Sequence, residues 1–297
     1  MRVLIAFDGS AGAAQAVALA ERIDWPPGSA LRVASVVEPA GLHVWAWPMG
    51  EAAPRILEDA IAHVAAEQAA VVARLLAPER NVDAVLLRNR PANGLIDAAS
   101  DFSADLVIIG SRGHGPIAAL LLGSVSAEVV DHAPCPVLVA RRSDLERVVF
   151  ATDGSETAAV AEAILAGWPI FEGLAIRVVS VADVVRPWST GIAPPMYAQV
   201  LHAYADDLAE AEAAHREIAR GAARRLTDAG RRAEAEMRRG DAAAEIIAVA
   251  REWRADLVVV GSRGQTGIRR LLLGSVARNV LGAGDASVLV VHPPISD

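Results

Sequence analysis

Cysteine is nearly missing from this sequence: of 297 residues only Cys135 carries a thiol, so no internal disulfide can brace the fold. Cys135 lies between Pro134 and Pro136, ahead of an apolar stretch, where a thiol is expected to be buried and inert rather than redox-active. Positive charge is short as well. The formal net charge is −8, from 28 Lys and Arg against 36 Asp and Glu, which argues against nucleic acid or an acidic membrane as a partner, because either needs a clustered basic surface. The basic residues come in pairs, Arg141-Arg142, Arg224-Arg225, Arg231-Arg232 and Arg238-Arg239, which read as solvated faces. No apolar run is long enough to cross a membrane without interruption by charge. Met1 to Asp8 reads as a short strand ended by an acid rather than a secretion signal, so a cytoplasmic location is expected. Cys, His and carboxylate spacings that would form a dedicated metal cage are also absent.

What the sequence has is a repeat. Hydrophobic residues make up 53% of it, enough for two substantial cores. Its length suits two domains of about 150 residues each, placed at 1–143 and 144–297. The stretch from Ile109 to Ser126 returns as Val260 to Ala277. In both copies an apolar run (Asp105 to Ile109; Asp256 to Val260) ends in Gly-Ser-Arg-Gly, nine residues follow, and Gly-Ser-Val then opens a helical pattern. Glycine at the end of a buried parallel strand lets the chain turn sharply and lets another group approach the main chain. Gly110 and Gly113 are expected to make that turn. Gly123, followed by Ser124 as N-cap, would open a helix whose first N–H groups attract phosphate. The alternative is a purely structural strand-to-helix connection. The spacing fits neither Gly-x-Gly-x-x-Gly nor a P-loop, since the required Lys is missing after the last Gly of each copy.

Around this motif the chain alternates strands and helices. Strands are expected at Arg2 to Phe7, Leu31 to Val37, Val82 to Arg88, Asp105 to Ile109 and Val137 to Ala140, and helices at Ala11 to Ile23, Arg55 to Leu76, Asn93 to Ser100 and Ser124 to His132. Arg141 to Glu146 is a polar linker, after which strands recur at Arg147 to Thr152, Arg177 to Val181 and Arg232 to Met237, with a last one at Ser287 to Val291. Such alternation predicts an α/β fold, a doubly wound parallel five-stranded sheet of order 3-2-1-4-5 in each half. Asp8 and Val36 match Asp153 and Val181 at an offset of 145, whereas Asp105 and Gly110 match Asp256 and Gly261 at 151. Six extra residues therefore fall between, in the Pro187 to Pro195 loop or the helix from Met196 to Ala229. Trp45 and Trp47 sit in a Pro- and Gly-rich loop and are expected to cover a sheet edge or the crevice.

Order 3-2-1-4-5 reverses between strands one and four, where ligands bind in open sheets, so Asp8 should meet Gly110, and Asp153 Gly261. Each acid could equally be a turn-capping Asx residue. Arg112 and Arg263 could neutralise phosphate or pair on the surface. His114 has Gln265 as its counterpart, so no shared mechanism can depend on it.

Gly-2x-Gly-9x-Gly-Ser after a fourth strand, with Asp-Gly-Ser after the first, resembles the universal stress protein family in its tandem two-domain form and ATP-binding branch. The resemblance implies a Rossmann-like adenine-nucleotide domain in each half, packed as a pseudo-dimer within the chain and leaving room for a homodimer. It implies ATP as ligand, with Mg²⁺, where present, held by the nucleotide's own oxygens. Work of this kind is regulatory, through a protein partner, with little or no ATP turnover. Its rivals are an ATP-hydrolysing or adenylating enzyme on the same fold and a non-binding scaffold. Carried over from the family, Asp8 and Asp153 lie at the adenosine end, and Val36 and Val181 meet adenine through their backbones. Gly110, Gly113, Gly123, Ser124, Val125 and Ser126 hold ribose and phosphates, as do Gly261, Gly264, Gly274, Ser275 and Val276. At Ala277 the second copy lacks the hydroxyl that Ser126 would offer the terminal phosphates, so the first site is expected to bind more tightly.

Overall fold

The computed structural model describes residues 1–38, 53–113, 122–183, 197–264 and 273–293. Trp45, Trp47, His114, Gln265 and the 187–195 loop lie outside them. The chain forms two compact units, Met1–Leu145 together with Leu281–Asp297, and Glu146–Val280.

In the first unit β1 (Arg2–Ala6) leads through α1 (Ala11–Arg22) to β2 (Ala30–Val37). The long α2 (Ala53–Leu75) then precedes β3 (Asn81–Arg88), α3 (Pro91–Asp101) precedes β4 (Leu106–Gly110), and α4 (Ser124–His132) precedes β5 (Val137–Ala140). Val3, Leu4, Ile5, Leu106, Val107 and Ile108 are completely buried, as expected of central parallel strands covered on both faces. Strand α-carbons pair in parallel in the order β3-β2-β1-β4-β5, with the switch between β1 and β4. Helix α1 forms because Ser10 caps it, its hydroxyl accepting from Ala13 N at 3.1 Å, and because Ala13, Ala16, Val17 and Ala20 give it one buried stripe. Helix α3 starts two residues earlier than expected because Pro91 is well suited to a first helical position.

The second unit repeats the plan with β6 (Arg147–Ala151), α5 (Glu156–Gly167), β7 (Ala175–Ala182), α6 (Tyr197–Asp228), β8 (Arg232–Arg239), α7 (Ala242–Glu252), β9 (Leu257–Gly261) and the start of α8 (Ser275–Ala283). Its strands pair in parallel as β9-β6-β7-β8. Helices α2 and α6 correspond at an offset of 151, which sets the fully buried Leu226 on Leu75. The last strand, β10 (Ser287–Val291), counts with the first unit, where Val288, Leu289 and Val290 pair antiparallel with Val139, Leu138 and Val137. The first unit's sheet thus has six strands.

Two of the arginine pairs are not simply solvated. Arg231 is buried, with its guanidinium donating to the carbonyls of Leu165 at 2.9 Å, Ala166 at 2.8 Å and Trp168 at 3.1 Å. It satisfies the orphan acceptors at the end of α5, where a cation also complements the helix dipole. Arg141 donates to the carbonyls of Ala286 and Leu281. Burial first, then the neighbouring charge of Arg112, lowers its pKa. Cys135 is buried, and desolvation pushes its thiol up to about 12, which keeps it protonated and unreactive. No helix among the described residues is long and apolar enough to cross a membrane.

Candidate functional site

Strand β1 ends in Asp8-Gly9-Ser10, and β6 in Asp153-Gly154-Ser155. Gly9 and Gly154 take φ of +78° and +76°, a left-handed turn that any side chain would strain. The turn is closed by the acid, since Asp8 Oδ1 accepts from Ser10 N and Asp153 Oδ1 from Ser155 N, each at 3.0 Å. The Asx reading of these acids therefore holds for one of their two oxygens.

The other oxygen faces the glycine loop. A Cβ placed on Gly113 would stand 2.8 Å from Asp8 Oδ2, and one on Gly264 would stand 2.8 Å from Asp153 Oδ2. Residues a hundred positions apart are in contact because the strand order makes β1 and β4, or β6 and β9, neighbours. Only glycine leaves the carboxylate room at this spot. The approach is closer still at Gly12, where a Cβ would come within 1.9 Å of Arg112 O.

Each loop returns to its own start. Gly123 N donates to Ser111 O at 2.9 Å, and Gly274 N to Ser262 O at 2.8 Å. These bonds bring the end of the nine-residue stretch back to the strand end, beside the opening turn of α4 or α8. Contrary to the sequence expectation, Ser124 is not the cap of α4. Gly123 takes the cap position with φ −60° and ψ 149° and supplies no side-chain cap. Among the described residues the first-turn N–H groups, which have no partner within the helix, therefore meet no competing acceptor from the cap. Ser126 also has a different task from the one expected. Its hydroxyl, buried, donates to Gly110 O at 2.8 Å, and this spends its single proton on the loop.

A cavity of about 540 Å³ opens at this end of the first unit's sheet, lined by Asp8, Val36, Gly110, Arg112, Gly113 and residues 123–126. Its counterpart in the second unit, about 350 Å³, is lined by Asp153, Val181, Gly261, Arg263, Gly264 and residues 274–277. Every residue expected to hold the nucleotide thus lines one of the two cavities. Sequence reasoning missed apolar lining residues, Pro91 and Leu95 in the first cavity and Ala242 and Ile246 in the second. It also missed His215 and Asp183 in the second cavity, on which no repeated motif drew attention. In the second unit two polar atoms of the wall, Ser262 Oγ and Arg263 Nε, are buried without a hydrogen-bond partner among the described residues. Among the described residues Arg263 makes no ion pair. Unsatisfied buried donors are uncommon and ask for an explanation.

A cavity at a switch point, a returning glycine loop and a helix start are found together twice in this chain, and comparison with known proteins gives the arrangement its family. The universal stress protein family model matches residues 1–141 and again 145–292. The chain belongs to this family. One half is similar to a universal stress protein of Thermus aquaticus, 38% identical over 139 residues, which are 47% of this chain and 97% of that protein. Both halves together are similar to a universal stress protein of Mycolicibacterium smegmatis, 29% identical over 302 aligned residues, covering 98% of this chain and 97% of the relative. A crystal structure of a universal stress protein from Archaeoglobus fulgidus matches the fold with a TM-score of 0.64 at 18% identity, covering 98% of each chain. The tandem, Rossmann-like universal stress protein fold follows for this chain as well.

Proposed function

We propose that each unit binds an adenine nucleotide, ATP in particular, in the cavity at its switch point, and that the bound state serves regulation in the cytoplasm rather than turnover. The observation that carries this reading is the doubled one: a loop pinned shut by Gly123 N on Ser111 O, or Gly274 N on Ser262 O, beside the start of a helix, which in the first unit carries no side-chain cap. That geometry presents backbone N–H groups to an anion from two sides. The buried, unpartnered Arg263 Nε and Ser262 Oγ fit a ligand rich in acceptor oxygens. The apolar wall of Val36, Pro91 and Leu95, or Val181, Ala242 and Ile246, suits a flat heterocycle, and the acid's second oxygen suits ribose hydroxyls. Mg²⁺ would come with the phosphates and supply charge neutralisation there.

The regulatory reading rests on what the two cavities share. Apart from the arginines, the titratable group repeated in both linings is the acid of the turn, and one of its oxygens is already held by its own backbone. A shared acid–base set for hydrolysis is thus not evident among the described residues. The adenylating or hydrolysing alternative predicts steady-state release of ADP or AMP. Calorimetry with ATP should give two bound equivalents, and phosphate release should stay at the background rate. Absence of binding at millimolar ATP would sink the nucleotide reading, and sustained turnover would sink the regulatory one.

A further inference from the structure

Among the described residues the two cavities also differ in what the long helix brings to their linings. At the offset of 151 that relates α2 to α6, His215 of α6 stands where α2 has Val64. Val64 does not reach the first cavity's lining, whereas His215 lines the second. The ring is held: His215 Nδ1 lies 2.8 Å from Ser180 Oγ, and Ser180 is completely buried in β7. In the first unit the matching serine, Ser35, turns instead to its own sheet and donates to Phe7 O at 2.6 Å. An imidazole fixed through Nδ1 has Nε2 as its remaining polar atom, and a buried serine on a rigid strand sets the ring's orientation, as a hydrogen-bond partner on the other ring nitrogen does for working histidines elsewhere. Around it the wall is apolar, with Val179, Val181 and Ile246, and Asp183 closes the end of β7.

We infer that His215, oriented by Ser180, is a specificity-determining residue of the second site, where Nε2 makes a hydrogen bond to the edge of the purine ring that the first site cannot make. The inference rests on the nucleotide reading above and adds the side-chain contact that tells the two sites apart. Its partner Ser180 stands on β7 between Val179 and Val181 of the cavity lining, the strand whose valine is assigned to the base, which assigns the contact to the heterocycle rather than to the phosphates. A fixed donor or acceptor in an otherwise apolar wall discriminates among heterocycles, because a base lacking the complementary group leaves the ring nitrogen unpaired. Among the described residues the first cavity has no histidine in its lining.

The test reads each site separately by calorimetry, the second in a Gly123→Asp background and the first in a Gly274→Asp background. ATP, GTP and AMP are the probes. His215→Val, which installs the residue of the first unit, should weaken ATP at the second site about two- to tenfold and change its ATP-to-GTP selectivity by a similar factor, while the AMP-to-ATP ratio stays constant. His215→Gln should recover part of the loss. A side-chain nitrogen resonance of His215, assigned by its disappearance in His215→Val, should shift when ATP is added. Equal ATP affinity and selectivity in wild type and His215→Val would overturn the inference while leaving the nucleotide reading in place. So would a change confined to the AMP-to-ATP ratio, or binding to the first site alone. Absence of nucleotide binding at both sites would remove the underlying reading and this inference with it.

Discussion

Both glycine loops hand the carbonyl of their arginine to a hydroxyl on the facing helix, but not to the same hydroxyl. In the first unit Ser10 Oγ donates to Arg112 O at 3.3 Å, and the next turn position is Gly12, whose backbone lies against that carbonyl. In the second unit the Gly12 position holds Thr157, and its Oγ1 takes over the bond to Arg263 O. Thr157 then occupies the space above Gly261, where an added Cβ would come within 2.5 Å of Oγ1. A second exchange accompanies the first: Ser126 bonds to Gly110 O, and Ala277 cannot. Among the described residues the first loop is therefore tied by two serines and close backbone packing, and the second by one threonine. The repeat preserves where the loop is fixed, and the fixing groups have been exchanged around it.

The largest effects should come from placing charge at the closing glycine. Gly123→Asp puts a carboxylate beside the proposed phosphate position, and like-charge contact in a partly desolvated crevice costs several kcal/mol. Calorimetry should show the first site lost and the second retained, with the reverse for Gly274→Asp. The two variants should nonetheless differ in stability. A Cβ on Gly123 finds its nearest neighbour at an ordinary 3.5 Å, whereas one on Gly274 meets Ser262 O at 3.3 Å. The apparent melting temperature should thus fall further for Gly274→Asp, and equal falls would blur the contrast drawn here.

Next in size is the exchange at the helix start. Gly12→Thr forces a side chain into Arg112 O, and overpacking of this kind costs about 1–3 kcal/mol. The reciprocal Thr157→Gly loses one hydrogen bond, worth about 0.5–1.5 kcal/mol, besides the conformational cost of glycine in a helix. Denaturant titration of the two variants should rank Gly12→Thr as the more damaging. The opposite ranking would mean that the first loop moves away from α1 more easily than its packing implies.

Smallest is the effect of Ser126→Ala. Because the hydroxyl proton already goes to Gly110 O, its loss should lower stability by about 0.5–1.5 kcal/mol and leave first-site affinity for ATP within about threefold. A ten- to hundredfold drop in affinity would restore the direct phosphate contact that the sequence comparison of Ser126 with Ala277 suggested.

Much of this could be read in advance because the physics is local or periodic. Continuous apolar runs identify parallel strands, Ser10 announces a helix cap by type and place, and the strand order alone brings Asp8 to the glycine loop, although to Gly113 rather than to Gly110. Other features escaped because they depend on distances across the fold. Whether the cap is Ser124 or the residue before it is decided by the extended backbone at Gly123, and both residue types are good caps. Arg231 looks in sequence like any charged pair member, and its burial follows from three carbonyls at the end of a helix some 65 residues away. The exchange of Gly12 with Thr157 is invisible until the loop carbonyl between them is seen. His215 was passed over because a motif search weighs what is repeated, and His215 matters by not being repeated.

The antiparallel seat of β10 against β5 also bears on the order in which the protein can be made. Synthesis delivers the first five strands early, yet the edge of β5, the bare apolar run Val137–Ala140, stays unpaired until residues near 290 leave the ribosome. An open, hydrophobic strand edge is a template for pairing with another chain. Cutting the gene at the sequence boundary near residue 143 would make that waiting state permanent, so the first repeat expressed alone should seek a substitute strand from a second copy of itself or aggregate.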